Sequence, residues 1–135
     1  YRIFSLVGNG EAQEGSVWEA AAAASSRKLD NLVVFLDDNR MQNDGFSDEI
    51  MPMDPFDKKW EAFGWRVIKI DGHDMRQVVE SIEEAVAHRG SPVCILASTI
   101  KGKGVKLMEN ERRFHGKPPK PEEFTQAMKE IRGEE

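Results

Sequence analysis

Two clusters of short, oxygen-bearing side chains each stand directly after an apolar run. Gly8-Asn9-Gly10-Glu11 follows Ile3 to Val7, and Asp37-Asp38-Asn39-Arg40-Met41 follows Leu32 to Leu36. Apolar runs bounded in this way read as strands, and the carboxyl ends of strands in open α/β sheets are where phosphates and their metal ions are held. Glycines let backbone N–H groups approach a phosphate closely, and amide and carboxylate oxygens suit the octahedron of a Mg²⁺ ion. Taken alone, Gly8 to Glu11 is better explained as a tight strand-to-helix turn without a ligand, and Asn39 alone is readily explained as a turn residue after a strand. The pair of them is a set able to hold a cation and a polyphosphate together.

The elements that must position these clusters follow from the hydrophobic pattern. Ile3 to Val7 is the first strand, and Ser16 with Glu19 reads as a capping box opening a helix whose apolar face is Val17, Ala20, Ala21 and Ala24. Leu32 to Leu36 is a continuous apolar run, as in a strand covered on both faces. A long loop from Asp38 to Asp54 contains the turn signal Asp44-Gly45. A short helix over Pro55 to Phe63 and a strand over Trp65 to Ile70 come next. Asp74 with Gln77 caps a helix with Met75, Val78, Val79, Ile82, Ala85 and Val86 on one face. Val93 to Ala97 is the last strand, a glycine- and lysine-rich loop runs from Lys101 to Lys120, and a final helix spans Pro121 to Ile131. This alternation predicts an α/β fold: an open, mostly parallel sheet of about four strands with flanking helices.

Composition narrows the class. At 135 residues the chain is one domain, with 39% hydrophobic and 32% charged residues, a globular balance. A net charge of −5 argues against a dedicated nucleic-acid binder, and no apolar stretch is of membrane-spanning length. Cys94 is the only cysteine, set in the apolar run Val93-Cys94-Ile95-Leu96, so it reads as an inert core thiol in a reducing, cytoplasmic setting. No signal peptide is expected, because Tyr1 opens directly on a strand.

The two clusters and their surroundings resemble a known family. The pairing is similar to the thiamine-diphosphate motif, Gly-Asp-Gly followed about 25 to 30 residues later by Asn. The flanking strings Glu11-Ala12-Gln13-Glu14-Gly15-Ser16-Val17-Trp18-Glu19-Ala20 and Lys28-Leu29-Asp30-Asn31-Leu32 look like the cofactor-binding domain of transketolase, in particular the N-terminal subunit of the split type. The resemblance runs from about Ile3 to Ile131. It implies the thiamine-diphosphate-binding fold, with upstream strands of that fold missing from these residues, so that 1–135 reads as a partial domain.

The resemblance also implies roles. The Mg²⁺ ligands would be Asn9, Asn39 and the Met41 carbonyl, with Gly8, Gly10 and Glu11 lining the diphosphate through their backbones. Asn9 departs from the family, which has Asp there. A neutral amide removes one negative charge facing a dication, a Coulomb loss on the order of several kcal/mol before desolvation. Natural tolerance, a non-catalytic copy and a deliberate substitution all remain open as its origin. His115, in Phe114-His115-Gly116-Lys117-Pro118, matches a family histidine beside the diphosphate and the reacting carbons, where an imidazole can donate a hydrogen bond or shuttle a proton. Glu14 and Glu19 match carboxylates of a network at the dimer interface, although helix-dipole and capping duties also explain them. His73 reads as a turn residue and His88 as a helix-end residue. The Lys101 to Lys106 run reads either as a solvated loop or as a lid with Lys103 or Lys106 near anionic groups.

By resemblance the reaction is transfer of a two-carbon ketol unit between sugar phosphates, with thiamine diphosphate and Mg²⁺ as cofactors. The implied partners are a second copy, the pyrimidine-binding C-terminal transketolase subunit, or both, since the family's active site forms between subunits. Two alternatives stay beside it: another thiamine-diphosphate enzyme such as 1-deoxyxylulose-5-phosphate synthase, or a degenerate interaction module in which Asn9 has abolished cofactor binding.

Overall fold

The computed structural model describes residues 1–134. Four parallel strands form one sheet: β1 (Ile3–Gly8), β2 (Leu32–Asp38), β5 (Arg66–Asp71) and β6 (Val93–Ser98), in the spatial order β1-β2-β6-β5. The helix α1 (Gly15–Ser26) connects β1 to β2, and α4 (Met75–Ala87) connects β5 to β6. The strand β6 fills the place between β2 and β5, so the two most apolar strands are central. Val33, Val34 and Leu36 of β2 and Val93 to Ala97 of β6 are all buried. The register pairs Gly8 with Asp37, and Ser98 with both Asp38 and Asp71, which brings all four carboxyl ends to one edge.

Strand alternation divides the core between the two faces. Val34, Leu36, Cys94 and Leu96 pack with Ala21 and Ala24 of α1 and with Phe56 and Trp60 of α3 (Phe56–Ala62). Val33, Ile95 and Ala97 face Ala85 of α4. Burial of Cys94 pushes its thiol pKa up, so the thiolate is inaccessible and the residue is the inert core thiol expected. Asp74 caps α4 as its sequence predicts. Its carboxylate accepts from the backbone N–H of Arg76 and Gln77 and from the Gln77 amide, which hold its pKa below the ordinary value. No helix among the described residues is long and apolar enough to cross a membrane.

Three expectations need correction. The Ser16–Glu19 capping box does not form: α1 starts at Gly15, with Glu14 extended at the cap position and no side chain capping the N-terminus. A single 3₁₀ turn, Glu11–Gln13, leads into the helix instead, and it is tied down by Trp18 Nε1 donating to the Ala12 carbonyl at 2.9 Å. The loop after Asp38 is not structureless. It holds a hairpin of β3 (Met41–Gln42) and β4 (Gly45–Phe46), turned at Asn43-Asp44, and a helical turn α2 (Ser47–Ile50). The apolar side of α4 is only partly inward: Val78, Ser81 and Ala85 face the sheet while Met75, Val79 and Val86 are exposed. The edge strand β1 likewise exposes Ile3, Phe4 and Leu6.

Candidate functional site

A cleft of about 440 Å³ opens where the strands end, between the β1–α1 connection, the β2–β3 bend and the segment after β6. Gly8, Asn9, Gly10, Glu11, Asn39 and Met41 all line it, and so do Glu14 and His115. The structure therefore gathers every predicted cofactor-contacting residue at one place. Glu19 is the exception among the predicted site residues: it is exposed on α1 and does not reach the cleft.

The floor is a hydrogen-bonded frame. Asn39 makes an Asx turn, its Oδ1 accepting from Met41 N at 2.9 Å while its Nδ2 donates to Asp37 at 2.7 Å. The other Asp37 oxygen is held by the Thr99 hydroxyl, so the bend is anchored to the segment after β6. Between Asn39 and Met41 the chain reverses at Arg40, whose φ of 62° lies in the left-handed region that a residue with a Cβ seldom occupies. The Arg40 guanidinium holds that turn from outside by pairing with Asp38, Asp54 and Asp48 at 3.5, 3.0 and 3.3 Å, and these carboxylates raise its pKa. Asn9 is buried, with Nδ2 donating to Asp38 at 2.8 Å and Oδ1 accepting from Arg40 N at 2.9 Å. Gly8 N–H is already bonded by the Glu11 carboxylate at 2.8 Å, so an anion reaching that N–H displaces Glu11 first.

The donor set suits a hard cation that arrives with its own anion. Asn9 Oδ1 and Asn39 Oδ1 each keep a free lone pair, and Met41 can add its carbonyl; all three are neutral oxygen ligands of the kind Mg²⁺ accepts. No group of three or more His, Cys, Asp or Glu side chains among the described residues could hold a metal by itself. A diphosphate would supply the missing negative charge, and the cleft has a cation to meet it. Lys101 lines the cleft and is in no ion pair among the described residues.

Lys101 is the site residue that sequence reasoning passed over in favour of Lys103 and Lys106. Lys103 lies 3.9 Å from Glu109, and Lys106 is exposed, with its backbone N–H bonded to Glu130. The missed signal was position: Lys101 is the first cation beyond the end of β6, and parallel sheets bind ligands just past their strand ends. Gly102 makes its placement possible. Its φ is +76°, and a Cβ there would collide with the Met108 carbonyl.

His115 closes the 3₁₀ turn Arg112–His115 and is exposed to the cleft. Arg112 Nε ties that turn to the hairpin by donating to the Asn43 carbonyl at 3.2 Å. Arg113 ties it to α5 (Pro121–Arg132) through Glu123 at 2.7 Å, with its guanidinium 4.2 Å above the Phe114 ring. The imidazole itself has no hydrogen-bond partner among the described residues and is free to meet a ligand. His73 Nε2 accepts from Ile100 N at 2.7 Å, a structural duty, and His88 Nε2 pairs with Ser91 Oγ at 2.8 Å, a side-chain partner that the expected helix dipole or solvent did not include.

The family model described as "Transketolase, thiamine diphosphate binding domain" matches residues 1–135. The chain belongs to the transketolase family. It is 42% identical to the 6-deoxy-6-sulfo-D-fructose transketolase subunit of Clostridium sp. (strain MSTE9) over 132 residues, covering 98% of this chain and 48% of that protein. It is 43% identical to an apulose-4-phosphate transketolase subunit of Actinobacillus succinogenes, again over 98% of this chain and 48% of that protein. The chain thus spans about half the length of these transketolase subunits. The crystal structure of Campylobacter jejuni transketolase superposes with a TM-score of 0.91 at 31% identity, over 100% of this chain and 21% of that one. The four-stranded parallel sheet is therefore a transketolase sheet, and thiamine diphosphate is the ligand of the family's domain.

Proposed function

We propose that this chain anchors thiamine diphosphate and Mg²⁺ in an enzyme that moves a two-carbon ketol unit between sugar phosphates. The observation that carries the reading is the convergence of Asn9, Asn39, Met41, Lys101 and His115 on one cleft at the carboxyl ends of the strands. Two of the similar proteins are named for sugars bearing a sulfonate or a phosphate, which supports an anionic sugar substrate. Thiamine diphosphate, when bound, supplies the carbon nucleophile and the electron sink needed to break a C–C bond beside a carbonyl.

The chain's own residues divide the remaining work. The Asn9 and Asn39 amide oxygens and the Met41 carbonyl hold the cation, and Lys101 neutralises the diphosphate. His115 donates a hydrogen bond to the substrate oxygen that gains negative charge, or moves its proton. Glu14 stands at the cleft rim and Glu19 on the exposed face of α1, where both are available to an inter-subunit carboxylate network. A second copy and the pyrimidine-binding C-terminal subunit are the proposed partners, in a cytoplasmic setting. Replacing Lys101 with Met removes one charge-assisted contact and is expected to raise the cofactor Kd by about 10- to 100-fold, read by calorimetry.

The reading is tested by assembling the chain with its C-terminal partner and following ketose-phosphate formation from a ketose-phosphate donor and an aldose-phosphate acceptor. Transfer that requires both subunits, thiamine diphosphate and Mg²⁺ is the expected result. Consumption of pyruvate with no ketose donor accepted would move the chain to the synthase class instead.

A further inference from the structure

Asn9 stands directly after β1 at the floor of the cleft, and it is only 1% exposed. Both of its polar atoms are committed. The Arg40 N–H needs an acceptor and the Asp38 carboxylate needs a donor, so the network fixes the amide with Oδ1 on Arg40 and Nδ2 on Asp38. Asp38 is itself 6% exposed, and its other charged contact is Arg40 Nε at 3.5 Å. A buried carboxylate needs hydrogen-bonded partners, and the Asn9 amide provides the shorter of these two contacts. Through it the end of β1 is joined to the end of β2 and to the left-handed turn at Arg40.

We propose that Asn9 is a positioning residue that clamps Asp38, and that this clamp makes the cleft floor self-standing without a cation. An aspartate at position 9 still accepts from Arg40 N–H but has no proton to give Asp38. Two buried carboxylates then face each other at the present hydrogen-bond spacing, and either a cation or a shared proton is needed to hold them. Compared with an aspartate at this position, the amide makes the junction independent of a cation. The inference deepens the proposed function by treating the cleft as a cation site, but it concerns the frame beneath that site and not the cofactor.

The test compares the thermal melting of the full chain, Asn9→Asp, Asp38→Asn and the exchanged pair Asn9→Asp/Asp38→Asn, each in chelator and in Mg²⁺ alone, with no thiamine diphosphate. Asn9→Asp is expected to melt roughly 5–10 °C below the parent in chelator. Mg²⁺ should restore much of that loss while leaving the parent unmoved. The exchanged pair again sets one amide against one carboxylate. It should recover most of the metal-free loss, which a merely additive packing defect would not do. Melting of Asn9→Asp with the parent in chelator, or an exchanged pair as low as the two single losses added, would overturn the clamp. Should Asn9→Asp fail to fold without metal, folding of the exchanged pair supports the clamp and its failure overturns it. Because no thiamine diphosphate is present, a chain that does not bind the cofactor still reports on the role of Asn9.

Discussion

Replacement of His115 by Ala is expected to lower two-carbon transfer by about 10²- to 10⁴-fold, the range over which a positioned acid–base or hydrogen-bonding group contributes. The melting temperature should hardly move. The imidazole is exposed and packs in no core, while the turn that carries it is held by its neighbours: Arg112 on Asn43, and Arg113 on Glu123 and Phe114. Steady-state kinetics on the assembled enzyme, paired with a melting curve, separate the two effects. His115→Gln keeps a donor near the same place and should recover part of the loss. A full-speed His115→Ala enzyme would remove the residue from the chemistry and leave it as a wall of the cleft.

Replacement of Trp60 by Ala is expected to cost about 3–5 kcal/mol of stability, which is a large share of what a domain this size possesses. Trp60 is 1% exposed and is the centre of an aromatic cluster, 5.2 Å from Trp18 and 4.7 Å edge-on from Trp65. It joins α3 to α1 and to the sheet, and so supports the turn that leads from β1 into α1. Trp18 and Trp65 spend their indole N–H groups on the Ala12 and Ala21 carbonyls, but the Trp60 N–H is buried without a partner. Trp60→Phe discards that unpaired donor along with some volume and should cost much less than Trp60→Ala. Urea denaturation distinguishes them; equal losses for the two variants would contradict this account of the cluster.

What could be read from the residues follows from how strongly each is constrained. The strands β2 and β6 are legible because burial on both faces demands unbroken apolar runs, and the cap of α4 because Asp74 has local partners. The cleft residues from Gly8 to Glu11 and from Asn39 to Met41 are legible because strand ends and short oxygen-bearing side chains coincide in sequence. The hairpin at Met41 to Phe46 was missed because strands of two residues leave no periodicity to detect. The Ser16–Glu19 box failed for a different reason. Trp18 docks onto Ala12 and moves the entry of α1 forward, a tertiary contact that overrides a local pattern. Met75, Val79 and Val86 carry helical periodicity that a narrow sheet cannot cover. Lys101 was passed over although it is the first cation beyond the end of β6, because the flexible glycine-rich run makes its lysines look alike unless distance from the strand end is weighed.

The central claim, that the strand-end cleft is a thiamine-diphosphate site closed by Mg²⁺, is tested most directly by calorimetric titration of thiamine diphosphate into the assembled protein, with Mg²⁺ and again with chelator. Saturable binding at one site per chain in Mg²⁺, abolished by the chelator and weakened by Lys101→Met, is the predicted result. Absence of binding in Mg²⁺, or binding indifferent to the chelator, would contradict it.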